Sequence, residues 1–336
     1  MVLRATTGDV TAAGPRPYKN MVRVPGGTFL MGDERFYPEE RPVHQVFVDG
    51  FWMDEHLVTN AEFRRFVQAT GYVTVAERPL DPAAYPGADP AVLVPGSLVF
   101  QPTKGPVDLG DYRNWWSYAP GACWFRPGGA RSNLGGREYH PVVHVTPEDA
   151  EAYAAWAGKE LPTEAEWEFA ARGGLEGAAF VWGDEFAPRG RKMANTWQGE
   201  FPWQNLAPGG SAGTSPVRSF RPNGYGLYDM AGNVWEWTCD FHTPRHPGEA
   251  AKSCCVPRNP RVDVSRTAVT SDDGAGNLPR KVIKGGSHLC APNYCLRYRP
   301  AARQGEAVDT STCHIGFRCI VRDRAPARER DTTLSR

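Results

Sequence analysis

Apolar residues recur at helical spacing in three segments of the chain, and capping residues flank each segment. The first predicted helix begins near Asn60, carries Phe63 and Phe66 on one face and ends before Gly71. Residues three apart share a face of a helix, so we expect this face to pack against the core.

The other two predicted helices follow each other closely. Thr146 and Asp149 cap the start of the second helix, and Pro147 takes its first helical position. Thr163 and Glu166 form the capping box of the third helix, which ends at two glycines. Because only a few residues separate them, we expect the two helices to pack as one corner.

Short runs rich in β-branched and aromatic residues predict strands over residues 21–31, 45–53, 141–145, 281–286 and 316–321. Two long turn-rich connections, residues 78–106 and 254–279, are expected to build a binding surface, since structureless loops of this length are uncommon in compact domains. The pattern predicts a single, loop-rich α+β domain over residues 20–325 with little regular secondary structure. Flexible tails are expected at residues 1–19 and 326–336.

Composition narrows the class of protein. The 336 residues include 36 glycines and 30 prolines, which is typical of a loop-rich domain, and 41% are hydrophobic, which excludes a disordered chain. Basic and acidic residues both number 38, so no excess of positive charge indicates nucleic acid or a membrane surface as a partner. Residues 1–20 match neither a secretory signal nor a membrane anchor, so we expect a cytoplasmic protein that acts as a monomer.

Cys290 and Cys295 are the most informative pair of side chains. Five residues apart, they would face opposite sides of a straight strand. The intervening Ala-Pro-Asn-Tyr favours a turn, because proline fixes φ at the second turn position and asparagine tolerates the third. We therefore expect the two sulfurs to lie together, as ligands of a soft metal, as a disulfide or as buried free thiols.

Other histidines and cysteines carry weaker signals. His140 and His144 have the spacing of a metal pair, but no acidic third ligand follows them, so we expect structural roles. Cys254 and Cys255 are adjacent, and a bridge between them would be strained. Free or partner-forming thiols are expected there and at Cys123, Cys239 and Cys313. Cys319 has no visible partner, which is typical of a reducing compartment.

Four sequence blocks and the cysteine segment carry a family resemblance. The blocks are MVRVPGGTFLMG at residues 21–32, LPTEAEWE at 161–168, NGYGLYDMAGNVWEW at 223–237 and GFRC at 316–319. The cysteine segment contributes Ser287, Cys290, Tyr294 and Cys295, followed by Arg297-Tyr298-Arg299. Over residues 20–323 the chain resembles the formylglycine-generating enzyme family, which implies that family's variant of the C-type lectin fold.

The resemblance implies an oxidase of a peptide cysteine. Such enzymes use O2 and an external reductant to convert the cysteine of a Cys-X-Pro-X-Arg motif in an unfolded sulfatase to Cα-formylglycine. Cys290 and Cys295 would then hold Cu(I), with the substrate thiolate as a third ligand. Ser287 and Tyr294 would position the reactants by hydrogen bonds, and Trp235 would wall the pocket.

The resemblance also implies calcium and substrate sites. One structural Ca²⁺ would be held by Asp229, Glu236 and the carbonyls of Gly232 and Val234. A second Ca²⁺ would use Asn195 and Thr196, although Gly209 replaces a usual acidic ligand. Trp115 and Trp116 would line the substrate groove, and Asp81 is the candidate partner for the substrate arginine.

Three other functions compete with the oxidase. A non-catalytic lectin-like binding module would need no cysteine pair. An iron-dependent sulfoxide synthase would need a histidine-rich helical domain, and a thiol-disulfide oxidoreductase would need a C-x-x-C motif in a thioredoxin-like context. The sequence contains the cysteine pair and lacks the other two features, so it favours the oxidase.

Overall fold

The computed structural model of the chain describes residues 18–84, 87, 89, 93–207, 213–246, 256–262 and 278–323. Cys254, Cys255 and residues 1–17 and 326–336 lie outside the described residues, as do most residues of the predicted connection 254–279. The structural predictions for these positions therefore stay predictions.

The three predicted helices are present where the capping residues place them. They are α1 (Asn60–Thr70), α2 (Pro147–Trp156) and α3 (Glu164–Arg172). Each has a capping box, formed by Thr59 and Glu62, Thr146 and Asp149, and Thr163 and Glu166. Among the described residues no helix is long and apolar enough to cross a membrane.

Eleven short strands of the described chain form four small sheets. The strands are β1 (Met21–Val24), β2 (Gly27–Met31), β3 (His44–Val48), β4 (Phe51–Asp54), β5 (Gly96–Phe100), β6 (Trp116–Pro120), β7 (Trp235–Phe241), β8 (Arg280–Lys284), β9 (Arg303–Ala307), β10 (Ile315–Gly316) and β11 (Ile320–Arg322). One sheet has the order β1-β4-β11 and another the order β10-β7-β8-β9, while β2-β3 and β5-β6 form two-stranded pairs. The main core lies between these sheets and the three helices.

The structure corrects several predicted strands. Residues 21–31 and 45–53 each contain two strands rather than one. Residues 141–145 form no strand, because His144 has a positive φ of 60° that an extended strand does not accommodate. Strand β5 lies inside the connection 78–106, which the sequence predicted as loop.

A buried group of charges ties α3 to β8. Glu168 accepts hydrogen bonds from Lys284 at 3.1 Å, from Arg172 at 2.7 Å and from the backbone N–H of Gly32 at 2.9 Å. Burial by itself would raise the pKa of Glu168, but the positive charges of Lys284 and Arg172 outweigh it and lower the pKa to about 2. Lys284 is the last residue of β8, and the cysteine segment begins directly after it. These ion pairs therefore hold the start of the cysteine segment in place.

The lowered pKa of Glu168 predicts a loss of stability in acid. A carboxyl whose pKa falls on folding stabilises the fold above its ordinary pKa of 4.5, and that contribution is lost as the pH falls toward 2. We expect the difference in free energy of unfolding between the wild type and Glu168→Gln to shrink as the pH falls from about 5 to about 3. Urea titrations followed by tryptophan fluorescence measure this difference, and a constant value across the range would contradict the assignment.

Candidate active site

Two glycines start the cysteine segment where β8 ends. Gly285 and Gly286 have positive φ values of 87° and 67°, a region that L side chains rarely adopt. A Cβ at Gly286 would lie 2.9 Å from backbone atoms of Arg297 and Tyr298. Glycine at this position therefore allows the two ends of the cysteine segment to pack against each other.

A tight turn brings the two sulfurs together. The carbonyl of Ala291 accepts hydrogen bonds from the N–H groups of Tyr294 at 3.1 Å and Cys295 at 2.7 Å. The Sγ atoms of Cys290 and Cys295 are 2.8 Å apart, and both side chains are buried. The turn lies at the residues where the sequence predicted it.

The two thiols differ in acidity. The hydrogen bond shared with Cys290, together with the positive charge of Arg297, lowers the pKa of Cys295 below its ordinary value. Burial raises the pKa of Cys290 well above its ordinary value, and the hydrogen bond to Cys295 raises it further. The surroundings therefore favour the thiolate form at Cys295 more than at Cys290.

Arg297 also belongs to the site, although the sequence analysis assigned no role to this residue. Its guanidinium lies over the ring of Tyr37, 3.9 Å from the centroid, and donates to Glu39 at 2.6 Å. The hydroxyl of Tyr37 accepts a hydrogen bond from the N–H of Leu296 at 3.0 Å. Tyr37 and Glu39 are distant from Arg297 in the sequence, so the sequence alone could not indicate their contacts with it. The only available signal was that Arg297 lies in the cysteine segment that carries the family resemblance.

Ser287 shapes the cysteine turn. Its backbone N–H donates to Sγ of Cys290 at 3.4 Å, and its carbonyl accepts from the N–H of Cys290 at 3.0 Å. Its hydroxyl oxygen accepts from the N–H of Leu289 at 3.2 Å. The hydroxyl hydrogen remains available for a further bond, since this oxygen acts as an acceptor here.

An aromatic cluster adjoins the cysteine turn. The ring of Tyr294 stacks on Phe201 at 4.5 Å and meets Trp115 edge-on at 5.3 Å. Trp115 is buried, whereas Trp116 is half-buried and packs against His314 at 4.8 Å. Burial raises the pKa of Tyr294 to about 12, so its hydroxyl stays protonated at neutral pH. No local sequence signal indicated Phe201.

The structure places Trp235 and Asp81 in different surroundings. Trp235 starts β7 and is buried in the same core cluster as Cys290 and Cys295. Asp81 lies on an exposed turn, where its carboxylate accepts a hydrogen bond from the N–H of Ala83 at 2.9 Å. Among the described residues no hydrogen bond or ion pair joins Asp81 to the cysteine segment.

Asp229 and Glu236 partly fit the expected calcium site. Both carboxylates are buried, and Glu236 accepts hydrogen bonds from Arg318 at 2.7 Å and 2.8 Å and from the indole of Trp167 at 2.8 Å. Burial raises the pKa of Asp229, and the nearby charge of Glu236 adds to the increase. Arg318 already supplies a positive charge beside these carboxylates, and it lowers the pKa of Asp229. The carboxylate oxygens still have lone pairs beyond those already used, which a cation could share. Calcium therefore stays a prediction here, together with the carbonyls of Gly232 and Val234.

The second predicted calcium site has fewer available groups. The backbone carbonyl of Asn195 accepts a hydrogen bond from the N–H of Asn233 at 2.8 Å. The side-chain amide of Asn195 donates to the carbonyl of Gly213. Gln198 donates to both the carbonyl and the hydroxyl of Thr196. Gly209 lies outside the described residues. Within the described part of the chain, no three His, Cys, Asp or Glu side chains are grouped as ligands for a metal ion.

The remaining histidines and cysteines have structural surroundings. His144 uses both ring nitrogens, toward Ser97 at 2.7 Å and the carbonyl of Pro127 at 2.9 Å, and His140 contacts Thr214. All described cysteines are unbridged, including Cys123, Cys239, Cys313 and Cys319. These contacts agree with the structural roles that we expected for the histidines.

Comparisons with known proteins decide the family. Residues 7–323 match the family described as the sulfatase-modifying factor enzyme 1-like domain. A formylglycine-generating enzyme of Mycobacterium tuberculosis is 55% identical over 301 residues, which cover 89% of this chain and 97% of that protein. The chain belongs to the formylglycine-generating enzyme family.

Two further comparisons extend this result. The formylglycine-generating enzyme of Streptomyces coelicolor is 48% identical over 312 residues, covering 92% of this chain and 91% of that protein. The structure of PvdO from Pseudomonas aeruginosa covers 90% of this chain and 94% of its own with a TM-score of 0.58 at 24% identity, which shows the fold alone. The predicted fold class, the family's loop-rich α+β variant of the C-type lectin fold, is confirmed. The formylglycine-generating enzyme relatives support an enzyme that acts in sulfatase activation.

Proposed function

We propose that the chain is a copper-dependent oxidase that converts the cysteine of a Cys-X-Pro-X-Arg motif in sulfatases to Cα-formylglycine with O2. The observation that carries the proposal is the buried pair of Cys290 and Cys295, whose sulfurs are 2.8 Å apart. The relatives named formylglycine-generating enzymes support the same activity.

The donor set of the pair suits Cu(I). Two soft sulfur ligands favour Cu(I) over hard ions that need many oxygens. The lowered pKa of Cys295 favours its thiolate form, and Cys290 would lose its proton when both sulfurs bind the metal. Copper would supply a place for the substrate thiolate and a means of passing electrons to O2.

The reaction balances with an external reductant. Removing two hydrogens from the substrate CH2–SH group gives a thioaldehyde and supplies two electrons. The external reductant supplies two more, with two protons, so that O2 is reduced fully to two molecules of water. Water then hydrolyses the thioaldehyde to the aldehyde and releases hydrogen sulfide.

The other residues of the site have supporting roles in this proposal. Ser287 fixes the cysteine turn and offers a hydroxyl hydrogen to a bound group. Tyr294 stays protonated and donates from the edge of the aromatic cluster. Trp115 packs edge-on against Tyr294, and Trp235 is buried in the same core cluster as Cys290 and Cys295, so both would limit the access of water to the reacting groups.

The substrate in this proposal is an unfolded sulfatase segment, since a motif within a folded domain could not enter beside a buried cysteine pair. We further propose that the enzyme acts as a cytoplasmic monomer, with structural Ca²⁺ at Asp229 and Glu236.

Mass spectrometry of a peptide tests the proposed function. A peptide containing Cys-Thr-Pro-Ser-Arg is incubated with the protein, Cu(I), a reductant and O2, beside a control in which a chelator removes copper. We expect aldehyde formation in the first sample and none in the second. An unmodified peptide, with protein shown to be folded and loaded with copper, would instead favour a non-catalytic binding module.

A further inference from the structure

A clamp, formed by Tyr37 and Glu39, holds Arg297 beside the cysteine pair. The guanidinium of Arg297 lies over the ring of Tyr37, 3.9 Å from the centroid, and donates to Oε1 of Glu39 at 2.6 Å. The hydroxyl of Tyr37 accepts a hydrogen bond from the N–H of Leu296 at 3.0 Å, so the same side chain also fixes the backbone of the cysteine segment. Arg297 is therefore held on one face by an aromatic ring and at one end by a carboxylate.

The clamp has a fixed base. Glu39 lies in a single 3₁₀ turn, Pro38–Glu40. Glu40 is fully buried and forms an ion pair with Arg299 of the cysteine segment, and the carbonyl of Glu39 accepts a hydrogen bond from the buried Arg303 at 3.3 Å. Because buried arginines fix the backbone at and beside Glu39, its carboxylate has a defined direction, which a mobile pair on the surface lacks.

The charge of Arg297 reaches both sulfurs. Burial raises the pKa of Cys290, and the positive charge of Arg297 opposes that rise. The hydrogen bond shared with Cys290 lowers the pKa of Cys295, and the charge of Arg297 lowers it further. Nε of Arg297 is buried and has no hydrogen-bond partner among the described residues. This N–H is therefore available to an acceptor at the cysteine pair.

A buried copper–thiolate centre needs a compensating positive charge. The charges of two thiolates outnumber that of one Cu(I) ion, so the centre would be negative, and the substrate thiolate would add to that charge. Burying such a charge is unfavourable unless a positive group lies close to it. Both cysteine side chains are buried. The position of the Arg297 guanidinium therefore matters for holding the metal.

We propose that Tyr37 and Glu39 are positioning residues, which act through Arg297 to stabilise the negative copper centre at the cysteine pair, an inference that rests on the proposed function. Residues that orient the groups around a metal site contribute about 10- to 100-fold to metal affinity. A long arginine side chain without such contacts would turn its charge toward water. The clamp keeps that charge beside the sulfurs.

The affinity for Cu(I) tests the proposal without any substrate. The protein competes for Cu(I) with bicinchoninate, a chromophoric ligand, in the absence of O2, and thermal melts establish that each variant folds. We expect Glu39→Ala to bind Cu(I) about tenfold more weakly than the wild type. Glu39→Gln keeps an oxygen that accepts from Arg297, so we expect it to stay within about threefold of the wild type.

Variants of Tyr37 give an independent test that leaves Arg297 and Glu39 in place. Tyr37→Leu removes the ring beneath the guanidinium, and we expect it to weaken Cu(I) binding by about five- to tenfold. Tyr37→Phe keeps the ring and loses only the hydroxyl, so we expect it to stay within about threefold of the wild type.

A double variant shows whether Glu39 acts through Arg297. Arg297→Gln alone should weaken Cu(I) binding by about 10- to 100-fold. Adding Glu39→Ala to Arg297→Gln should then change the affinity by no more than about twofold, since two residues that act through one interaction are not additive. Glu148→Ala is the matched control: Arg78 donates to Glu148 at 2.6 Å and lies over the ring of Tyr72, but this group joins α2 to the loop after α1. It should bind Cu(I) like the wild type.

The outcomes separate the clamp from the oxidase. If Glu39→Ala and Tyr37→Leu bind Cu(I) like the wild type, or if Glu39→Ala has the same effect with and without Arg297, the positioning role is wrong while the oxidase stands. If Cu(I) affinity depends on the clamp as expected but the wild type converts no Cys-Thr-Pro-Ser-Arg peptide, the positioning role stands and the proposed function fails. If Cys290→Ser and Cys295→Ser bind Cu(I) as tightly as the wild type, both are wrong.

Discussion

Replacing either Cys290 or Cys295 by serine is expected to abolish formation of formylglycine. Residues that merely orient metal ligands contribute about 10- to 100-fold to affinity or activity, so the loss of a ligand should exceed about 100-fold. Serine is nearly isosteric with cysteine but is a hard donor that binds Cu(I) poorly. The aldehyde yield from a Cys-Thr-Pro-Ser-Arg peptide, measured by mass spectrometry, gives the effect.

Controls for this prediction come from the same chain. Cys239→Ser changes a half-buried thiol on β7 that has no part in the proposed site, and it should retain activity. Thermal melts of all three variants establish that they fold. If either Cys290→Ser or Cys295→Ser converted the peptide at the wild-type rate, the proposed copper ligation would be wrong.

The second large effect is expected on stability, from Arg299→Met. Arg299 and Glu40 form a fully buried ion pair that includes a hydrogen bond of 2.8 Å, and Arg299 also donates to the carbonyl of Leu296 at 2.7 Å. Removing the arginine leaves the carboxylate of Glu40 buried without a partner. We expect a loss of about 3–5 kcal/mol in the free energy of unfolding, measured by urea titration.

Two further variants test this explanation. Arg65 forms a long ion pair of 3.9 Å with Glu62 at 70% exposure, so Arg65→Met should change stability by no more than about 0.5 kcal/mol. The double variant Arg299→Met/Glu40→Gln should recover part of the loss, because it removes the buried charge. Equal effects of Arg299→Met and Arg65→Met would rule out the buried pair as a main source of stability.

Local chemistry explains which parts of the fold were predictable. The three capping boxes depend on residues three apart, and the turn from Ala291 to Cys295 depends on Pro292 and Asn293, so the sequence contains their determinants. The strand predicted over residues 141–145 is wrong, since apolar residues also enter a core without strand pairing. Strand β9, with the sequence RQGEA, has no β-branched or aromatic residue and is a strand because it pairs with β8.

Some residues of the candidate site were predictable from the sequence, and others were not. The sequence indicated Cys290 and Cys295 because their motif is contiguous. Tyr37 and Phe201 reach the site from distant loops, and nothing in their immediate sequence marks them. Substrate recognition was the least predictable part, because assigning Asp81 depended on aligning a long loop, and that assignment stays a prediction.

X-ray absorption at the copper edge tests most directly the claim that Cys290 and Cys295 form the copper centre. The protein is loaded with one equivalent of Cu(I), and spectra are recorded without O2, before and after addition of the cysteine peptide. We expect two sulfur ligands before addition and three afterwards, with neither set present in Cys290→Ser or Cys295→Ser. Copper ligands that are nitrogen or oxygen atoms, or a coordination shell that gains no sulfur when the peptide is added, would contradict the account.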